Sequence, residues 1–267
     1  MRIGALIPIR LASERLPGKA LKKICGRPVV HHLLDRVCAS RHIVNPRDVV
    51  VCTTTESTDD ALVPVVEDYG CSIFRGSVDD IIRRFSEAMA HHDFEAVIQA
   101  DGDDPLSATE YMDLTMDRLL ADSELDIVTV RGLPLGTASK SFTRRAMDKV
   151  LAAYRTERND TGFIYYFTRT GLCNHAEIAP LSPDHVHQTA RLTLDYPEDI
   201  ELFRRIFAAL YRPGEVFGLT ETVAFLRDDP ELVEINRKVE QAYWSRMAEK
   251  AALYFEDDTG TVCAVPT

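Results

Sequence analysis

Long hydrophobic runs are missing from this chain. Its apolar stretches, such as Val49-Val50-Val51, are a few residues long, against the ~20 that a membrane-spanning helix needs, so no transmembrane helix is expected. The opening residues Met1-Arg2-Ile3-Gly4-Ala5-Leu6-Ile7-Pro8 carry no extended apolar stretch followed by a small-residue cleavage site. No secretory signal is read there, and a cytoplasmic location is expected. The cysteines, at 25, 38, 52, 71, 173 and 263, include no Cys-x-x-Cys pair, which argues against a zinc site or a disulfide framework and for reduced, buried thiols. Positive charge is in deficit: 31 Lys+Arg against 42 Asp+Glu give a formal net charge of -11. Neither nucleic acid nor an anionic membrane is therefore an expected partner, and any anionic ligand needs a local basic patch. The Gly-x-x-x-x-Gly-Lys-[Ser/Thr] loop of P-loop ATPases does not occur.

What is present is an ordinary globular composition, 267 residues with 45% hydrophobic and 27% charged, enough to bury a core without disulfides or a structural metal. Residues 3–9, 48–53, 71–74, 96–100 and 126–130 read as short buried strands. Between them lie helical patterns. Pro28 stands at a first helical position ahead of Val29, Val30, Leu33, Leu34 and Val37; residues 57–69 look helical; Asp79 and Asp80 cap a helix with Ile81, Ile82, Phe85, Ala88 and Met89 on one face. Strands alternating with helices at this spacing imply parallel crossovers, hence a three-layer, Rossmann-like α/β fold with a mostly parallel sheet and ligands at the carboxyl ends of its strands. From 131 to 190 the alternation weakens, and Phe163-Ile164-Tyr165-Tyr166-Phe167 reads as an aromatic strand. Residues 191–195 return to the sheet pattern, Pro197 opens a helix, and 219–252 are helical with an interruption at Pro230.

The basic patch lies just after the first strand. Residues 10–27 hold Arg10, Arg15, Lys19, Lys22, Lys23 and Arg27 against the single acid Glu14, a local charge of +5. With Gly18 beside Lys19, the loop's amides and cations can surround a triphosphate; a solvated lysine-arginine face is the plainer alternative. The run Ile7-Pro8-Ile9-Arg10-Leu11-Ala12-Ser13-Glu14-Arg15-Leu16-Pro17-Gly18-Lys19 resembles the opening of the CMP-Kdo synthetases and of the spore-coat polysaccharide biosynthesis protein F group, within the acylneuraminate cytidylyltransferase superfamily. That resemblance implies a nucleotide-diphospho-sugar transferase fold whose first loop grips CTP, with Arg10, Arg15 and Lys19 as the catalytic cations.

Asp101-Gly102-Asp103-Asp104-Pro105-Leu106 follows a strand, where clustered carboxylates repel unless a cation or solvent offsets them. Mg²⁺ suits oxygen ligands and a phosphate substrate; an acidic surface turn is the alternative. The segment is similar to the family's Gly-Asp-Glu-Pro-Leu, which implies Asp103 as a metal ligand, with Asp101 a weaker candidate. Leu194-Asp195-Tyr196-Pro197-Glu198-Asp199 resembles the family's Val-Asp-Thr-Pro-Glu-Asp, with Tyr196 in place of Thr, and implies Asp195 as the second ligand. Arg75-Gly76-Ser77-Val78-Asp79-Asp80 resembles the spore-coat branch, although a turn with a helix cap accounts for Ser77 equally well. Together these resemblances imply a nucleotide pocket of Pro8, Ile9, Arg10, Leu11, Ala12, Ser13, Lys19, Thr54, Arg75, Gly76, Ser77, Gln99 and Asp101.

The expected activity is transfer of CMP from CTP to an acidic sugar, Kdo-like or another nonulosonic acid, releasing pyrophosphate. A phosphonate or sugar phosphate as acceptor, a glycosyltransferase using Asp101-Gly102-Asp103, and a catalytically silent nucleotide binder stay open. The expected organisation is a nucleotide-binding domain at 1–130 and 191–252, an inserted acceptor and dimer subdomain at 131–190, and a solvated tail at 253–267. The aromatic run at 163–167 suits the contact of a homodimer.

Overall fold

The computed structural model describes residues 1–159, 162–250 and 253–266. In chain order the elements are β1 (Ile3–Pro8), β2 (Lys23–Ile24), β3 (Arg27–Pro28), α1 (Val29–Cys38), β4 (Val49–Thr54), α2 (Leu62–Tyr69), β5 (Ser72–Gly76), α3 (Ile81–His91), β6 (Ala96–Gln99), α4 (Thr109–Leu120) and β7 (Ile127–Val130). There follow β8 (Lys140–Thr143), α5 (Arg144–Ala153), α6 (Ile164–Thr168), β9 (His175–Ile178), α7 (Pro197–Leu210), α8 (Leu219–Asp228), α9 (Glu231–Glu234), α10 (Glu240–Lys250), β10 (Tyr254–Glu256) and β11 (Val262–Ala264). The main sheet has the order β5-β4-β1-β6-β8-β7-β9. Strands β5, β4, β1 and β6 are mutually parallel, β8 runs antiparallel to both β6 and β7, and β9 is parallel to β7. This is the expected α/β architecture with a mostly parallel sheet.

Successive residues of each strand feed opposite layers. Ala5 and Ile7 of β1 join Val49, Val51 and Ile98 under Val30, Leu33, Leu62, Val66 and Met112 of α1, α2 and α4. Leu6 joins Val50, Val97 and Phe142 under Ile82, Phe85, Ala146 and Val150 of α3 and α5. With both faces covered, the strands read as unbroken apolar runs rather than as alternation. A third core matters most for the site: Leu16 of the basic loop, Leu106 after the acidic run, and Leu192 and Leu194 all pack on Ile200, Phe203 and Phe207 of α7. Three segments far apart in sequence are thereby anchored to one helix at the carboxyl edge of the sheet.

Five local expectations are corrected. Residues 163–167 are the N-cap Phe163 and the first four residues of the helix α6 rather than a strand; the buried members Phe163, Tyr166 and Phe167 recur at i, i+3 and i+4. Those three rings are buried within the chain's own core. Residues 140–143, placed in the insertion, are a central strand of the main sheet. Residues 191–195 form no strand of that sheet, and Arg191 makes only an isolated parallel bridge to Leu135, itself outside the strands. The described part of the tail, 253–266, is docked: β10 pairs with β11, and Leu253, Phe255 and Val265 are buried in the core that holds Phe163 and Tyr166. Pro28 ends β3 and caps α1 instead of opening it. Asp80 caps α3 as expected, its side chain accepting from the Arg83 N–H. Among the described residues no helix is long and apolar enough to cross a membrane.

Candidate active site

The parallel strands end together at Pro8, Thr54, Gly76 and Gln99, so the loops that leave them share one edge. The basic loop folds back on itself there. Ser13 and Gly18 both donate backbone N–H groups to the Leu11 carbonyl, at 2.9 and 3.0 Å. Gly18 supplies the left-handed φ of +64° that sends Lys19 into a short 3₁₀ turn. The loop is tied to the sheet by Asp59, whose Oδ1 accepts from the Leu11 N–H at 2.7 Å while its Oδ2 accepts from Thr53 Oγ1 at 2.9 Å and Thr54 Oγ1 at 2.5 Å. Against this loop lies the acidic run. A Cβ at Gly102 would stand 2.2 Å from the Pro8 carbonyl oxygen, so only glycine lets the two segments meet. The Asp103 carbonyl accepts from the Leu194 N–H at 2.7 Å, which brings the 191–195 segment alongside.

The three segments converge on one ammonium group. Lys19 Nζ donates to Asp103 Oδ2 at 2.9 Å and to Asp195 Oδ1 at 3.0 Å. Asp195 is 1% exposed and also accepts from Arg15 and, on Oδ2 at 3.0 Å, from Arg191. Burial would depress the Lys19 ammonium, but Asp103 and Asp195 outweigh it and hold the group above its ordinary value. Burial likewise opposes ionisation of Asp103, and Lys19 overcomes it. Asp104 goes the other way: burial, Asp103 and Asp101 push its carboxyl well above the usual range. Asp195 thus gathers three cations on one carboxylate, two of them shared with Asp103 and Asp199. A cleft of about 380 Å³ opens over this cluster. Ile81, Leu135, Phe163, Ile164 and Tyr165 form its apolar side.

A cytidylyltransferase family model matches residues 4–228. The chain belongs to the cytidylyltransferase family. A 3-deoxy-manno-octulosonate cytidylyltransferase of Geobacter metallireducens is 28% identical over 90% of this chain and 84% of its own. The spore coat polysaccharide biosynthesis protein SpsF of Bacillus subtilis is 24% identical over 85% of this chain and 94% of its own. A solved cytidylyltransferase from Leptospira borgpetersenii shares the fold with a TM-score of 0.78 at 24% identity, covering 87% of this chain and 97% of that one. The protein is thus a CTP-dependent nucleotidyltransferase of the α/β type expected from its sequence.

Of the expected site residues of this cytidylyltransferase, Pro8, Ile9, Arg10, Ala12, Ser13, Arg15, Lys19, Asp101, Asp103 and Asp195 line the cleft. Leu11, Thr54, Arg75, Gly76, Ser77 and Gln99 are not among its lining residues. Leu11 packs into the core and Thr54 is spent on Asp59. Arg75 stitches loops together, donating to the Thr54 and Glu56 carbonyls at 2.9 Å each and pairing with Asp60. Gly76 is buried in β5, and Ser77 Oγ accepts from the Asp80 N–H at 3.2 Å, the helix-cap alternative. Gln99 stands behind Asp101, which it meets at 2.9 Å.

Sequence reasoning missed Asp59, Asp104, Lys140, Thr193 and Tyr243. Lys140 Nζ reaches Asp101 Oδ2 at 2.6 Å and Gln99 Oε1 at 2.9 Å, so Asp101 and Asp103 answer to different lysines and do not act as one pair. Tyr243 of α10 lines the cleft, and burial together with Asp104, Asp103, Asp195 and Asp101 pushes its phenol upward. The residues present fit a hard cation. Asp103 and Asp195 already share one, the Lys19 ammonium, and both offer oxygen. Among the described residues no group of three or more His, Cys, Asp or Glu is set for a metal; a divalent ion held by these two carboxylates alone would leave its other positions to water and phosphate.

Proposed function

We propose that this enzyme moves CMP from CTP to an acidic sugar, Kdo-like or another nonulosonic acid, releasing pyrophosphate for surface-polysaccharide synthesis in the cytoplasm. The observation that carries the reading is the convergence of Lys19, Asp103 and Asp195, from three distant segments, beneath a cleft walled by Arg10 and Arg15. Arg10, Arg15 and Lys19 take the phosphates and offset the charge that gathers on the departing pyrophosphate, catalysis by position and electrostatics. The loop holding them is pre-formed by Gly18 and Asp59, so little reorganisation is required when the nucleotide arrives. The apolar side at Phe163, Ile164 and Tyr165 limits water around the reacting phosphorus, which disfavours hydrolysis of CTP. That a relative is a 3-deoxy-manno-octulosonate cytidylyltransferase supports an acceptor that carries its own carboxylate. Asp103 and Asp195 would hold Mg²⁺, which when bound neutralises phosphate charge and lowers the pKa of a hydroxyl it touches.

The test is pyrophosphate release from CTP and Mg²⁺ with a panel of acidic sugars that includes 3-deoxy-manno-octulosonate, with a phosphonate and a sugar phosphate as controls. Lys19→Ala and Asp103→Asn are each expected to lose turnover by about a hundredfold or more with circular dichroism unchanged. Undiminished release by both variants would defeat the site, and release with no acidic sugar would defeat the acceptor class. A homodimer belongs to the proposal as well. Its contact is sought away from residues 163–167, whose buried rings are committed internally, and light scattering reads the stoichiometry.

A further inference from the structure

The match to the family ends at residue 228, yet the chain beyond it returns to the catalytic carboxylates. The link is Arg191, a guanidinium only 2% exposed. One arm donates to Asp195 Oδ2 at 3.0 Å; the other donates to Asp199 and, at 3.1 Å, to the Thr193 carbonyl. Its Nε has no hydrogen-bond partner among the described residues. Three hydrogen bonds, two of them to carboxylates, thus leave one donor of this buried cation unused. What remains is its two faces: the Tyr243 ring centre lies 4.8 Å from Arg191 Cζ, and that of Tyr196 lies 5.5 Å away. Tyr196 is also 5.0 Å from the guanidinium of Arg15, the other arginine on Asp195.

Asn236, fully buried between α9 and α10, completes the brace. Its Nδ2 donates to the Arg191 carbonyl at 2.9 Å and to Asp199 Oδ1 at 2.8 Å. Asp199 in turn accepts the Asp195 N–H on Oδ2 at 2.8 Å. Side chain and backbone of Asp195 are thus both reached from the segment past 228, the side chain through the Tyr243–Arg191 stack and the backbone through Asn236 and Asp199.

We infer that Tyr243 and Asn236 are positioning residues that set the Asp195 carboxylate through Arg191 and Asp199, so that the C-terminal segment is a working part of this active site. The inference rests on the reading of Asp195 as a ligand for the metal that accompanies CTP.

The test is isothermal titration of CTP into the full-length protein at a series of MgCl₂ concentrations, on wild type, Tyr243→Leu, Tyr243→Phe and Asn236→Ala, each first checked for an intact melting transition. Leucine keeps the apolar bulk but removes the π face. Tyr243→Leu is expected to weaken CTP binding about tenfold and to raise the Mg²⁺ concentration needed for half-maximal binding, with phenylalanine restoring most of both. Asn236→Ala is expected to raise the Mg²⁺ requirement in the same direction. A Tyr243→Leu protein with the affinity and Mg²⁺ dependence of wild type would overturn the positioning role and leave only packing. Wild-type protein whose CTP binding ignores Mg²⁺ would instead overturn the reading of Asp195 itself.

Discussion

Asp59 offers a direct measurement of how the basic loop is held. The residue is 1% exposed and accepts hydrogen bonds from the Leu11 N–H, the Thr54 N–H and the hydroxyls of Thr53 and Thr54. Two of these donors are the backbone N–H groups of Leu11 and Thr54. Hydrogen bonds to a charged group contribute about 1.5–3 kcal/mol each, and orphaning a buried donor costs about 1–3 kcal/mol. Asp59→Ala, which strips all four, is therefore expected to lose about 3–5 kcal/mol. Asp59→Asn keeps one acceptor for Leu11 but turns an NH₂ toward the Thr54 N–H, for about 1–2 kcal/mol. Out of a total near 5–15 kcal/mol, both variants still fold. The pH dependence supplies the sign. Burial raises the Asp59 carboxyl, but the hydrogen bonds from Thr54, Leu11 and Thr53 outweigh it and hold the group below its ordinary value. A depressed native value means stability that is complete above the unfolded-chain value and is lost as pH falls through the native one. The gap between wild type and Asp59→Asn should thus be full at pH 7 and close below about pH 4. Urea denaturation followed by circular dichroism across that range measures it. A loss under about 1 kcal/mol in Asp59→Ala, or a gap indifferent to acid, would refute the tether.

The parts of the molecule that were legible from sequence are those that carry a local signature, an apolar run or a motif, however distant their partners. Strands β1, β4, β6 and β7 announce themselves by short apolar runs, broken internally only by Thr129 of β7 and ending in Thr53-Thr54 for β4 and Gln99 for β6. Strand β8 does not, since Lys140-Ser141-Phe142-Thr143 satisfies its buried polar groups through contacts that hydropathy cannot see: Ser141 Oγ meets Thr115 Oγ1 at 2.9 Å, and Lys140 is answered by Asp101. In residues 191–195 the alternation of buried Leu192 and Leu194 mimics a strand, but what it serves is the third core on α7. At α6 the β propensity of aromatic residues competed with their helical spacing, and spacing won. The same division runs through the site. Lys19, Asp103 and Asp195 stand in motifs that resemble a known family. Asp59, Lys140, Asn236 and Tyr243 sit in no motif, and each acquires its role from a partner 39 or more positions distant, or, for Tyr243, from the ring that it lays on Arg191.

Two further substitutions separate scaffold from site. Asp126 is buried and accepts from Arg145 and Lys149 at 2.7 Å each and from the Asn174 N–H at 2.8 Å; Asp126→Asn should cost about 2–3 kcal/mol and lower the melting point by several degrees while leaving CTP affinity alone, so a changed affinity would contradict its purely architectural place. Gly102→Ala should do the reverse. A methyl group there stands 2.2 Å from the Pro8 carbonyl oxygen and 2.4 Å from Ile9 Cγ1, more than an ångström inside van der Waals contact, and the nearer obstacle is backbone rather than a flexible side chain. Either the end of β1 or the acidic run must shift by about 1 Å, and Asp103 moves relative to Lys19 when it does. Strain of this kind costs stability by about 1–3 kcal/mol, whereas a misplacement of that size at reacting groups costs about a hundredfold in rate. Pyrophosphate release should therefore collapse in a protein that still melts cooperatively. Turnover close to wild type would mean that the two loops can part without consequence, and that the contact of Gly102 with Pro8 does not set the geometry of the carboxylates.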